Sequence, residues 1–159
     1  MISRAKLAQL GIVLPDPPAP RGEYVPAVVH DGVVYVSGQL SREGNLTITG
    51  PVTASTSQDE LKRAGRACVL RALSAIDQAV GLENVSRFLF LRGFVFAEPG
   101  FQDFARVLDE ASKVLVEIYG EQGLHARSVA GVAGLPSNGL LEIELTAVIA
   151  PPYAGTGGA

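Results

Sequence analysis

Residues 85–97 constrain this chain most, because the run has no polar side. As a strand it places Phe88, Phe90, Phe94 and Phe96 on one face and Leu89, Leu91 and Val95 on the other. A strand that is apolar on both faces has to be covered from both sides. Two helices elsewhere in the chain can cover one of them. Ser57 followed by Glu60 is a capping box, and Leu61, Ala64, Cys68, Ala72, Ile76 and Val80 recur at helical spacing until Gly81. A second helix spans about residues 101–119, with Phe104, Val107, Leu108, Ala111, Leu115 and Ile118 as its stripe and Gly120 as its stop. Helices cover only the face they sit on, so the other face calls for a second copy of the chain.

The remaining segments read as strands. Residues 24–29 and 33–37 flank His30-Asp31-Gly32, an Asp-Gly hairpin signal between β-branched runs. Residues 127–150 read as two strands joined by Pro136-Ser137-Asn138-Gly139. Alternation sets Arg127, Val129, Gly131 and Ala133 on one face of the first, and Glu142 with Glu144 on one face of the second. The order strands, helix, strand, helix, strands indicates a two-layer α+β domain over residues 23–151. Before it, residues 1–22 form a proline-rich arm in which Pro15, Pro17, Pro18 and Pro20 hold the chain extended. After it, residues 152–159 are expected to be a flexible tail.

Composition narrows the function. The net charge of the 159 residues is −3, so no general attraction to phosphate backbones exists and nucleic-acid binding is disfavoured. No apolar run approaches the roughly 20 residues that span a bilayer. The single cysteine, Cys68, excludes an internal disulfide, and the N-terminus lacks the apolar core of a secretory signal, so a cytoplasmic protein is expected. Neither zinc-ligand spacing, a P-loop nor a dinucleotide-binding glycine pattern occurs, so neither metal nor cofactor is expected.

The residues with chemical potential cluster near the C-terminus. The rigid fork of Arg127 suits a small carboxylate, and a glutamate such as Glu142 can orient or deprotonate a water. Each also has a structural reading. Arg127 could pair with an interface carboxylate, Glu142 and Glu144 could form a solvated strand face, and Tyr24 could be packing. Ser37 and Gly38 could simply end a strand. Cys68 falls on the helix stripe as inert core, His125 reads as a structural or solvent-facing histidine, and His30 as a turn residue.

Several separated motifs bring a resemblance that covers nearly all of residues 22–151. Tyr24, Ser37-Gly38-Gln39, Phe104-Ala105-Arg106-Val107, Ala126-Arg127-Ser128, Leu135-Pro136 and Glu142-Ile143-Glu144 stand in the order found in the Rid/YjgF family of imine/enamine deaminases, also labelled L-PSP endoribonucleases. The resemblance implies a chorismate-mutase-like homotrimer, with a mixed sheet covered on one face by two helices and clefts between subunits. It also implies hydrolysis of 2-imino acids or enamines to 2-oxo acids and ammonia. Arg127 would hold the substrate carboxylate, Glu142 would position or activate water, and Tyr24, Ser37, Gly38 and Val129 would line the cleft. The chain departs from the better-characterised deaminases in two places. Val129 stands where those proteins often carry cysteine, and Asp109-Glu110 falls where a ligand-contacting asparagine is expected. A non-catalytic small-carboxylate binding protein of the same fold is therefore the alternative, with an endoribonuclease ranked last.

Overall fold

The computed structural model describes residues 4–151; the expected flexible tail at 152–159 lies outside them. The elements are α1 (Arg4–Gln9), β1 (Ala27–His30), β2 (Val33–Leu40), β3 (Arg42–Glu43), β4 (Leu46–Thr47), α2 (Gln58–Val80), β5 (Val85–Phe96), α3 (Phe104–Tyr119), β6 (Ala126–Val132) and β7 (Leu141–Ile149). Five strands form a mixed sheet in the order β1-β2-β7-β5-β6, and α2 and α3 pack on the same face of it. The fold is α+β in two layers.

Local chemistry explains most boundaries. Asp31 and Gly32 both take positive φ, 47° and 74°, the backbone that matches a tight turn to the twist of its strands, so β1 and β2 pair as a hairpin. Ser57 Oγ accepts the Glu60 N–H at 3.2 Å to open α2, and Gly81 closes it at φ 78°. Helix α3 starts at Phe104 rather than near 101, because residues 98–101 turn first: Phe101 N–H donates to the Glu98 carbonyl and Gly100 sits at φ 88°. The apolar stripes of both helices then bury against Leu91, Val95, Leu141, Ile143 and Leu145. Cys68 is fully buried among them, with Sγ directed at the Leu141 carbonyl.

The structure corrects two readings made from alternation. First, the strands at 127–150 are not neighbours: β5 lies between β6 and β7, antiparallel to β7 and parallel to β6. A parallel neighbour requires a long crossover, and α3 supplies it. Second, Phe88 does not share a face with the other phenylalanines. Phe88 pairs with Ala147 and Phe90 with Thr146, so Leu89 is an extra residue in β5. That bulge shifts the phase of the strand. Phe88 turns into the core against Tyr119, with ring centroids 4.9 Å apart, while Phe90, Arg92, Phe94 and Phe96 lie on the face without helices.

The segment before β1 is tied to the domain. Leu7 and Ile12 are buried in the core, and Ser74 Oγ of α2 donates to the Pro15 carbonyl at 2.7 Å. At the other end of the sheet, fully buried Ser41 donates to the Ile48 carbonyl and accepts the N–H groups of Leu140 and Leu141. One hydroxyl thus joins the end of β2, the β4 loop and the start of β7.

Candidate functional site

Strand β2 bulges where it meets the start of β7. Val36 pairs with Leu145 but Gln39 with Ile143, so Ser37 and Gly38 together occupy the place of one residue. Ser37 Oγ donates to the Val25 carbonyl at 2.7 Å and holds the bulge to the preceding segment. Gly38 has no side chain for a physical reason: a Cβ there would collide with the carboxylate of Glu142. The group that approaches this glycine closely is Glu142 itself.

Glu142 projects from the helix-free face of β7 into a cavity of about 300 Å3. Tyr24, Gly38, Gln39 and Arg21 line it, together with Arg42 and Arg71. Burial first, and then the charge of Glu144 on the same face, push the Glu142 carboxyl above the ordinary carboxylate range. Glu144 itself is paired with Arg92 across the strands at 3.0 Å. Glu142 is therefore the carboxylate here that is biased toward carrying a proton.

Arg127 lies elsewhere. It pairs with Leu91 of β5, whereas Glu142 pairs with Phe94, so the two are three residues and two strands apart, about 14 Å at ordinary sheet spacings. They also point to opposite faces. Arg127 reaches α3, where Nη2 meets Asp109 Oδ1 at 2.6 Å and Nη1 donates to Ser112 Oγ at 3.1 Å. The chain of bonds continues. His125 Nδ1 donates to the Gly123 carbonyl at 2.6 Å, which leaves Nε2 to accept the Ser112 hydroxyl at 3.0 Å. Burial is the main cause that lowers the pKa of His125, and the nearby Arg127 charge adds to it, so this neutral tautomer is the stable one. Through Ser112, His125 is joined to the group that holds the arginine. Val129 is half-buried on the same side of β6, packed against the core. Within one chain, then, Tyr24, Gly38 and Glu142 come together beside Ser37, and Arg127 and Val129 do not join them.

The family model described as Endoribonuclease L-PSP matches residues 15–149. The chain belongs to this family, also named Rid/YjgF. Among family relatives, Protein TCP17 of Trypanosoma cruzi is 37% identical over 143 residues, covering 88% of this chain and 89% of that one. A 2-iminobutanoate/2-iminopropanoate deaminase of Dermatophagoides farinae is 32% identical over 143 residues, covering 87% and 94%. The crystal structure of Atu1372 from Agrobacterium tumefaciens, a protein of unknown function, superposes with a TM-score of 0.81 at 32% identity, covering 92% of each chain.

The L-PSP motifs led to Tyr24, Gly38 and Glu142 but not to the arginines around them. Arg71 had a signal that could have been used. It stands three residues after Cys68 on the buried stripe of α2, where an arginine has no reason to sit unless its head group reaches a polar space. Arg21 and Arg42, in an arm and a two-residue strand, had no such periodic context. Among the described residues, no three His, Cys, Asp or Glu side chains gather as a metal site requires, and no helix is long and apolar enough to cross a membrane.

Proposed function

We propose that this L-PSP family protein hydrolyses 2-imino acids, or their enamine tautomers, to 2-oxo acids and ammonia. The observation that carries this reading is the half-buried Glu142, held against Gly38 at the wall of a small pocket, with its pKa raised by that burial. A group of that kind can accept a proton from water as the oxygen bonds to the imine carbon, while the imine nitrogen takes up a proton from solvent. The resulting carbinolamine then collapses. Glu142 returns its proton to the nitrogen, the C–N bond breaks to release ammonia, and the hydroxyl gives up its proton to solvent as the carbonyl forms. The imine is already electrophilic, so positioning substrate and water can supply much of the acceleration. The deaminase name of the Dermatophagoides relative favours the same chemistry.

We further propose that the working unit is a cytoplasmic homotrimer. Phe90, Phe94 and Phe96 lie on a face that the chain's own helices leave uncovered, and Arg127 of one chain cannot reach Glu142 of the same chain. A neighbouring copy could bring an Arg127 to the pocket. In the alternative reading the pocket beside Glu142 binds a small carboxylate without turning it over, and the ion pair between Arg127 and Asp109 favours it only in that it withholds Arg127 from a reacting substrate.

Imino acids generated in the assay by an amino-acid oxidase test the reaction. Wild type should accelerate release of the 2-oxo acid well above the buffer rate, and light scattering should give three chains per particle. Failure to accelerate hydrolysis of any imine in a varied panel, with 2-oxo acids still bound, would replace the deaminase by the binding protein. A stable monomer would remove the shared site.

A further inference from the structure

The pocket beside Glu142 carries more positive charge than one carboxylate can answer. Arg21 arrives from the proline-rich arm, Arg42 from β3 and Arg71 from α2, and all three line the same cavity. Elsewhere four arginines find acids: Arg63 pairs with Glu43, Arg66 with Glu117, Arg92 with Glu144 and Arg127 with Asp109, while Arg106 is held by Gln58 and the Thr56 carbonyl. Among the described residues, none of the three pocket arginines has a carboxylate partner. Arg42 bonds only to neutral hydroxyls, Thr47 Oγ1 at 3.3 Å and Ser137 Oγ at 3.0 Å. The buried Nε of Arg71 has no hydrogen-bond partner at all. A buried donor left without an acceptor is costly, and proteins retain such groups where a ligand or water completes them.

The electrostatics agree with the geometry. Burial first, then the adjacent charge of Arg42 and, more weakly, Arg21, lower the pKa of the Arg71 guanidinium, though such a group stays charged near neutrality. Three cations against one carboxylate leave a surplus of two positive charges, and Glu142 is the more easily protonated for its burial. Pro18, Pro20, Pro26 and Pro136 supply stiff walls that contribute no donors, so the donors available to a bound anion come mainly from the arginine forks. A cavity of this volume suits a small metabolite.

We propose that Arg21, Arg42 and Arg71 form an anion subsite adjoining Glu142, and that the natural ligand is a small dianion, a 2-imino or 2-oxo acid with a second acidic group. The inference adds a substrate class to the deaminase reading and rests on it for the imine; the subsite itself is read by binding alone. The second group is a carboxylate or a phosphonate-like head, either of which offers two or more oxygens to a guanidinium fork.

Calorimetry on the intact protein at low salt, with 2-oxobutanoate, 2-oxoglutarate and 3-phosphonopyruvate as probes, tests it. At least one dianion should bind about tenfold or more tighter than 2-oxobutanoate, and the preferred one identifies the second group. In Arg21→Gln and Arg42→Gln, checked for native circular dichroism and melting, that ratio should fall toward one. Arg71→Lys keeps a charge but not the fork, so it should also lose most of the preference. Equal affinity for mono- and dianions in wild type, or a preference that survives in the Arg21→Gln/Arg42→Gln double variant, overturns the subsite. Turnover separates the two ideas. Dianion preference without hydrolysis of any imine leaves the subsite standing and removes the deaminase, whereas hydrolysis with no dianion preference does the reverse.

Discussion

Two arginine-bearing regions of this molecule differ in what their charge is used for. At the edge strand β6, Arg127 is held by Asp109 and by Ser112, which is in turn fixed by His125. At the β2–β7 junction, Arg21, Arg42 and Arg71 face a cavity without any carboxylate partner among the described residues. The first is balanced internally, and the second is balanced only when an anion enters. A motif residue can thus be tied up by its own chain while residues outside every motif retain their capacity for a ligand. The difference is one of partners rather than of residue type.

The sharpest way to break this comparison is at Glu142, the acid of the second region. Glu142→Gln should lower imine turnover by about 10²- to 10⁴-fold, the usual range for a lost general acid–base, with affinity for a 2-oxo acid kept within about threefold. Unchanged turnover in steady-state assays would move the chemistry away from this pocket. Next in size is Gly38→Ala, whose Cβ drives into the Glu142 carboxylate and should cost about 1–3 kcal/mol in urea unfolding. Gly134→Ala, just beyond β6, meets nothing within 4 Å and serves as the neutral control. Asp109→Asn probes the first region. Releasing Arg127 from its partly exposed partner should strengthen 2-oxo acid binding several-fold, consistent with about 1 kcal/mol or less for such a pair. No change in calorimetry would mean that Arg127 has no part in ligand binding.

The smallest effects are in the pH dependence of stability, where the two regions have opposite signs. His125 has a folded pKa below its unfolded value of about 6.5, so its contribution is complete above that pH and is lost as pH falls below it. Glu142 has a folded pKa above its unfolded value of about 4.3, so its contribution is present below that pH and is lost as pH rises through the raised value. Melting curves across this range should lose the alkaline-going decline in Glu142→Gln and the acid-going decline in His125→Asn. A Glu142→Gln profile that overlays wild type would contradict the raised carboxyl.

The features legible in the sequence are those that one segment determines for itself. The Ser57–Glu60 cap, the stripe ending at Gly81 and the Asp31-Gly32 turn need no distant partner, and each is where local chemistry puts it. Neighbours across the sheet are a different matter. Alternation in residues 127–150 gave the faces of β6 and β7 but could not reveal that β5 lies between them, since period two says nothing about which strand is adjacent. Single extra residues had large effects for the same reason: Leu89 moved Phe88 to the core, and the Ser37-Gly38 bulge opened the place where Glu142 rests. Asp109 was visible as a departure from the family pattern, yet its partner Arg127 could not be read from a sequence gap that α3 folds back on itself. The pocket arginines come from three separate segments, and only the fold brings them together.

The sheet order also sets a timetable. Glu142 pairs with Leu40 across roughly a hundred residues, so the pocket depends on closing one of the longest loops in the domain, and contacts of that kind are slow to form. The β1–β2 hairpin and the stripe of α2 are available to a growing chain early, whereas β7 emerges after every other element described. A nascent chain halted before residue 136 would carry Arg21, Arg42 and Arg71 with neither the glutamate nor the wall of Pro136 and Ser137 beside them. The anion site is assembled only once the strand that also completes the core is in place.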